Sequence, residues 1–267
     1  MWDYFQQLFF PIQTCQLCGK PIKGSNKDDY VIRIPYTCMT CVRQIETPME
    51  PFCLSCHKPL DGDFSNRSLA FCGDCQDNGN RELLYNRSAV LYNSFIKEKI
   101  TLYKYRGKES LSLIFSYLMK LAYDSYYEGI RIDYLAYVPL HSDRLKERGF
   151  NQAKQLTENL HKLTGKRIFY GLERVKHTEK LSKRSKIERI QQVEESFRLK
   201  GDSISQIKGK NILIIDDIYT TGSTISECAR VLRVAGARNV YGLTLARAMD
   251  KIDNHNGREY DGIGRSF

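Results

Sequence analysis

Eight of the nine cysteines fall in four Cys-x-x-Cys pairs before residue 76, and no other feature restricts the fold as tightly. Cys15-Gln16-Leu17-Cys18-Gly19-Lys20-Pro21-Ile22 aligns with Cys53-Leu54-Ser55-Cys56-His57-Lys58-Pro59-Leu60, so each run reads CxxCxKP followed by an aliphatic residue. Each run leads to a second pair behind a short β-prone stretch, Cys38 and Cys41 in the first copy and Cys72 and Cys75 in the second. The segment is an internal duplication. A CxxC turn offers two sulfurs to one ion, and two such turns complete the tetrahedron that Zn²⁺ prefers in closed structural sites. Duplication favours sequential pairing over interleaving: Cys15, Cys18, Cys38 and Cys41 on one ion, and Cys53, Cys56, Cys72 and Cys75 on the other. About sixty polar, glycine-containing residues cannot build a sufficient core alone, and structural zinc contributes on the order of 10 kcal/mol to such a unit. An iron–sulfur cluster is the alternative for four cysteines, but the paired spacing differs from ferredoxin runs. His57 stands beside Cys56; with four thiolates in each copy it is assigned to the surface.

The metal reading requires a reducing compartment, because paired cysteines elsewhere form disulfides. No apolar run approaches the roughly 18 to 20 residues of a membrane span, and Met1 to Phe10 lack the basic start of a secretory signal. A cytoplasmic protein without membrane insertion is expected. The 267 residues, 42% hydrophobic and 27% charged, suffice for one α/β core and a smaller module.

The net charge of +10 is uneven: residues 1–75 hold 7 Lys+Arg against 8 Asp+Glu, whereas residues 141–210 hold 18 against 9. That excess suits an anionic partner or simple solvation. Phe150, Phe169, Tyr170 and Phe197 interleave with it. Aromatics among cations suit single-stranded nucleic acid, although core packing is the simpler assignment for these four.

Asn211-Ile212-Leu213-Ile214-Ile215 has the continuous apolar character of a buried parallel strand, with Asp216-Asp217 at its end. A loop rich in hydroxyls follows, Thr220-Thr221-Gly222-Ser223-Thr224. Ile225, Cys228, Ala229, Leu232 and Ala235 then recur at helical spacing up to Gly236, and Val240–Leu245 supplies a second strand. The right-handed crossover rule makes the two strands parallel. In such sheets ligands lie beyond the carboxyl ends of the strands, where backbone N–H groups and the helix N-terminus receive a phosphate. The acidic pair must serve another part of the ligand, sugar hydroxyls or a hydrated Mg²⁺. A ribose 5-phosphate satisfies both demands.

Strand, Asp216-Asp217 and Thr220–Thr224 together resemble the phosphoribosyl pyrophosphate (PRPP) signature of type I phosphoribosyltransferases; the Walker and GxGxxG patterns are absent. Upstream, Tyr134–Val138 reads as a strand leading into a string, VPLHxxRxxxRGFNQA, that is similar to the hallmark of the ComF/GntX family, as is Lys104-Tyr105-Arg106-Gly107. With the duplicated cysteine pairs, the resemblance runs to about Ala248. It implies a type I phosphoribosyltransferase-like parallel-sheet α/β domain at 81–248, preceded by the zinc-binding module at 1–80 and followed by a flexible polar tail at 249–267. It implies PRPP with Mg²⁺ at Asp216, Asp217, Thr220, Thr221, Gly222, Ser223 and Thr224, and the diphosphate on Arg144 and Arg148, for which a charged helix face is the competing assignment. Relatives are expected to carry a glutamine where this chain has Leu181.

The function so implied is assistance to internalised single-stranded DNA in natural transformation, with competence or recombination proteins as partners, contacted through the zinc module. A phosphoribosyltransferase acting on a base or another acceptor and a PRPP-responsive regulator are the alternatives. The acceptor side is not legible.

Overall fold

The computed structural model describes residues 14–22, 34–60, 70–77, 82–176 and 195–249. Its centre is a parallel sheet of β1 (Asn86–Leu91), β2 (Tyr134–Tyr137), β3 (Arg167–Phe169), β6 (Asn211–Tyr219) and β7 (Asn239–Arg247), ordered β1-β7-β6-β2-β3. A separate antiparallel pair joins β4 (Leu172–Arg174) to β5 (Phe197–Leu199). Chain order along the sheet breaks between β6 and β2, which pair directly.

Both faces of β6 are covered, hence its unbroken apolar run. Leu213 and Ile215 pack with the face carrying α4 (Leu111–Tyr127) and α6 (Gln152–Thr164), whereas Ile212 and Ile214 pack with Ile225, Cys228, Ala229 and Leu232 of α8 (Ser223–Val234). The shorter helices are α1 (Met39–Val42), α2 (Gly73–Asp77), α3 (Ser94–Tyr105), α5 (Ser142–Arg148) and α7 (Ile204–Ile207).

Two strands run longer than their residue types suggest. The β6–β7 ladder continues through Asp216↔Thr244 and Ile218↔Ala246 to Tyr219↔Arg247, so the acidic pair lies inside a paired strand and does not terminate it. The neighbouring strand sets the end, because β7 keeps pairing alongside Asp216–Tyr219 after the pairing with β2 has stopped at Ile215. Successive side chains on a strand face opposite ways, and the two carboxylates therefore diverge.

The duplication is visible in the backbone. Thr14 bridges Pro21 in one copy and Phe52 bridges Pro59 in the other. Cys15 N donates to Lys20 O at 2.8 Å and Cys53 N to Lys58 O at 2.7 Å. The second pair of each copy opens a one-turn helix, α1 or α2, where a second CxxC turn was expected. The module covers the free edge of β1: Ser55 O accepts from Asn86 N at 2.7 Å, and His57 Nδ1 accepts from Ser88 N at 2.9 Å. An uncovered parallel edge strand would invite pairing with another chain.

His57 is thus corrected from surface to core. It is fully buried, at φ 64°, and occupies the turn position that Gly19 fills at φ 75° in the first copy. Its ring lies edge-on to Phe52 and Tyr126, with centroids 4.4 and 4.9 Å away. Burial first, then the nearby Arg87 charge, hold its pKa down at about 3. A neutral ring with Nδ1 as acceptor follows.

Candidate functional site

Loop Thr220–Gly222 connects the carboxyl end of β6 to α8. Gly222 sits at the helix N-cap with φ 78° and offers no side-chain cap of its own, while Thr221 Oγ1 accepts from Ser223 N at 3.4 Å; the turn opens the helix N-terminus toward an anion. Only glycine fits there: a Cβ would stand 2.2 Å from the Tyr219 hydroxyl. Thr221 Oγ1 and Ser223 Oγ lie 3.1 Å apart, one hydroxyl supporting the other. A small cleft open to solvent is bordered by Asp216, Thr220, Gly222, Ser223 and Thr224, with Thr244 from β7 beside them.

Asp216 belongs to this cleft and Asp217 does not. Asp216 Oδ1 accepts from Asp217 N at 2.8 Å; burial, and next the Asp217 charge, raise its carboxyl to about 7, with Lys104 and Arg174 opposing. Asp217 faces the other side of the sheet, where its Oδ2 lies 2.6 Å from Lys104 Nζ on the last turn of α3. The KYRG string thereby acquires a physical role.

Arg144 and Arg148 lie on α5, in the segment between β2 and α6. Asn151 holds the far end of that segment to β2, donating from Nδ2 to Val138 O at 3.2 Å and accepting on Oδ1 from Lys154 N at 3.1 Å. Arg144 pairs with Glu147 at 3.3 Å. Arg148 donates to Gln152 Oε1 at 2.9 Å and to Tyr105 OH at 3.0 Å, and its buried Nε has no hydrogen-bond partner among the described residues. The sequence reading missed Arg174. Carried on β4, it stacks 5.3 Å from the Phe197 ring; burial lowers its pKa, the charges of Arg144 and Arg148 add to that, and Asp216 opposes it. Arg174 thus feels the charges of Asp216, Arg144 and Arg148, although none of the three arginines borders the cleft. Nothing in Leu172-Glu173-Arg174 marks this, because the influence arises from tertiary placement.

Phe169 and Phe197 are core residues, Phe150 packs against the core, and Tyr170 is about half exposed. Leu181, and the basic Lys183, Arg184 and Lys186, lie outside the described residues.

The cysteines gather as Cys15, Cys18, Cys38 and Cys41 and as Cys53, Cys56, Cys72 and Cys75, with the sulfurs of each set within 4.8 Å of one another. The Cys18–Cys38 sulfurs are 3.7 Å apart and the Cys56–Cys72 sulfurs 3.6 Å. Four sulfurs at about 2.3 Å from Zn²⁺ stand roughly 3.8 Å apart along each tetrahedral edge, so both sets fit that ion. It would supply structural cross-linking, since every ligand position is a thiolate. The first set packs against the α4 face of the core and the second against the α8 face.

Residues 147–264 match the phosphoribosyl transferase domain family. The chain is 32% identical to competence protein ComFC of Bacillus subtilis (strain 168), over 79% of this chain and 84% of that one. It is 29% identical to competence protein ComFC of Streptococcus pneumoniae (strain ATCC BAA-255 / R6), over 87% of this chain and 99% of that one. Identity is 25% to competence protein F of Haemophilus influenzae (strain ATCC 51907 / DSM 11121 / KW20 / Rd), over 80% and 97%.

Proposed function

The chain belongs to the ComFC family of competence proteins, and from that premise we propose that it binds PRPP with Mg²⁺ while handling single-stranded DNA taken up in natural transformation. The observation that carries the ligand assignment is the cleft itself. N–H groups at the start of α8 and the hydroxyls of Thr220, Ser223 and Thr224, with Thr221 supporting Ser223, supply donors for a 5-phosphate. Asp216 accepts from ribose hydroxyls, and Asp217, held by Lys104, tunes its charge. Arg144 and Arg148 meet the diphosphate through forked N–H donors. Mg²⁺, when bound with PRPP, screens the diphosphate charge.

Zn²⁺ in the two cysteine sets would hold the module against β1, and the lysines and arginines of the 141–210 segment are assigned to the nucleic acid. Among the described residues no helix is long and apolar enough to cross a membrane. Single-strand binding should be insensitive to sequence and weaken steeply with salt, as phosphate neutralisation by Lys and Arg releases counterions.

The test is transformation frequency in a deletion strain complemented with the wild type or Asp216→Ala. Loss of transformation with normal protein levels supports the reading. Full complementation by the variant contradicts it.

A further inference from the structure

Arg247, the last residue of β7, is almost fully buried and spends its guanidinium on two parts of the molecule at once. On one side Nε donates to Cys56 O at 3.1 Å and Nη2 to Cys56 Sγ at 3.4 Å. On the other, Nη1 donates to Tyr219 O at 3.3 Å and Thr220 O at 3.1 Å, and also reaches Ala248 O. The cation lies 5.1 Å from the centre of the Tyr219 ring, and the hydroxyl of that ring occupies the space a side chain at Gly222 would need. A continuous path of contacts thus runs from a sulfur of the second cysteine set to the backbone that opens the phosphate loop. The first set has its buried cysteines in the other half of the core, away from Tyr219.

We infer that Arg247 is a positioning residue that couples the second cysteine set to the phosphate loop, so that a metal held there and PRPP in the cleft strengthen each other's binding. The inference rests on reading Thr220–Thr224 as the PRPP loop. Four thiolates around one Zn²⁺ leave a surplus of negative charge. A guanidinium, which cannot shed its proton, is the fitting counter-charge for it in a buried site. When the metal leaves, the tie that fixes Cys56 to the other three sulfurs is gone, and Cys56 O and Sγ can shift and carry the Arg247 guanidinium with them. Tyr219 O and Thr220 O lose their anchor when it moves, and the loop loses its set position. Coupling between two binding sites is reciprocal, so PRPP must retain the metal by the same factor by which the metal improves PRPP affinity.

The experiment uses the full chain loaded with zinc. Release to an excess of chromogenic chelator is followed with and without Mg²⁺-PRPP, whose binding is measured in parallel by calorimetry. Cys18→Ser identifies the phase that belongs to the first set. Saturating Mg²⁺-PRPP should slow release from the second set on the order of tenfold and leave the first unchanged. Arg247→Lys keeps a charge near Cys56 without the fork that spans both sides; it should retain zinc and lose most of the protection. The inference is overturned if PRPP binds yet neither phase slows, or if Arg247→Lys is protected as well as the wild type. A wild type that binds no PRPP overturns the proposed function and this coupling with it, and the calorimetry separates the two failures. Should Arg247→Lys not fold, the wild-type comparison alone decides.

Discussion

Lys104 Nζ lies 2.6 Å from Asp217 Oδ2, with the two side chains only 13% and 14% exposed, so a helix on one face of the sheet neutralises one carboxylate of the acidic pair. Removing one member of a shielded pair leaves the other charge uncompensated. Lys104→Met should cost about 3 kcal/mol in urea unfolding. Adding Asp217→Asn to it should recover a large part of that loss, because the stranded charge is gone. Additive losses would show that the pair contributes little.

Asp216 sets a pH dependence. Its carboxyl is raised to about 7, chiefly by burial and next by Asp217. An acid raised in the folded state makes the fold most stable below its unfolded pKa, and that contribution is lost as pH climbs from about 4 to about 7. Stability of the ligand-free wild type should decline across this window more than that of Asp216→Asn. PRPP affinity should move oppositely, rising with pH until the carboxylate is fully ionised near pH 8. Parallel pH profiles for wild type and Asp216→Asn would contradict this.

Gly222→Ala places a methyl group against the Tyr219 hydroxyl at a backbone conformation of φ 78°. The substitution should destabilise by about 1–3 kcal/mol and abolish detectable Mg²⁺-PRPP binding, since the loop must shift to admit the side chain. Thermal denaturation and calorimetry check the two effects separately. An alanine variant that binds PRPP normally would show that loop geometry is not what receives the phosphate.

Purified protein should carry two zinc ions by elemental analysis, because each cysteine set matches the tetrahedral edge. The two should differ in consequence. Cys53 and Cys56 are fully buried in the core that holds Ile214 and Tyr219, whereas Cys18 is exposed. Cys56→Ser should therefore lower the melting temperature of the whole sheet domain more than Cys18→Ser does. One ion per chain, or substantial iron, would contradict the duplicated site.

Much of this arrangement is legible in residue order. The apolar run Ile212–Ile215, the glycine at position 222 and the periodic face of α8 follow from local chemistry, and the duplicated CxxC pattern announces two equivalent sites. Three features required the third dimension. The acidic pair faces two ways because β7 extends β6 past Asp217, and strand ends are set by neighbours. Arg174 feels the charges of Arg144 and Arg148 only through the tertiary placement of β4, which pairs with the sequence-distant β5. His57 looks dispensable beside four cysteines, yet it fills a turn and binds β1, a partner strand 31 residues away that the sequence reading did not mark. Arg247 is likewise silent in sequence, one basic residue at the end of a strand.

Whether the cleft at Asp216–Thr224 receives PRPP is decided by calorimetric titration of Mg²⁺-PRPP into the wild type and Asp216→Asn. Asp216→Asn leaves the Lys104–Asp217 pair intact and should fold normally. A lost charge-assisted hydrogen bond costs roughly 1.5–3 kcal/mol, so the wild type should bind and the variant should bind at least about tenfold more weakly. Equal affinity in a folded variant, or no heat of binding in the zinc-loaded wild type at pH 8, would show that this cleft is not the PRPP site.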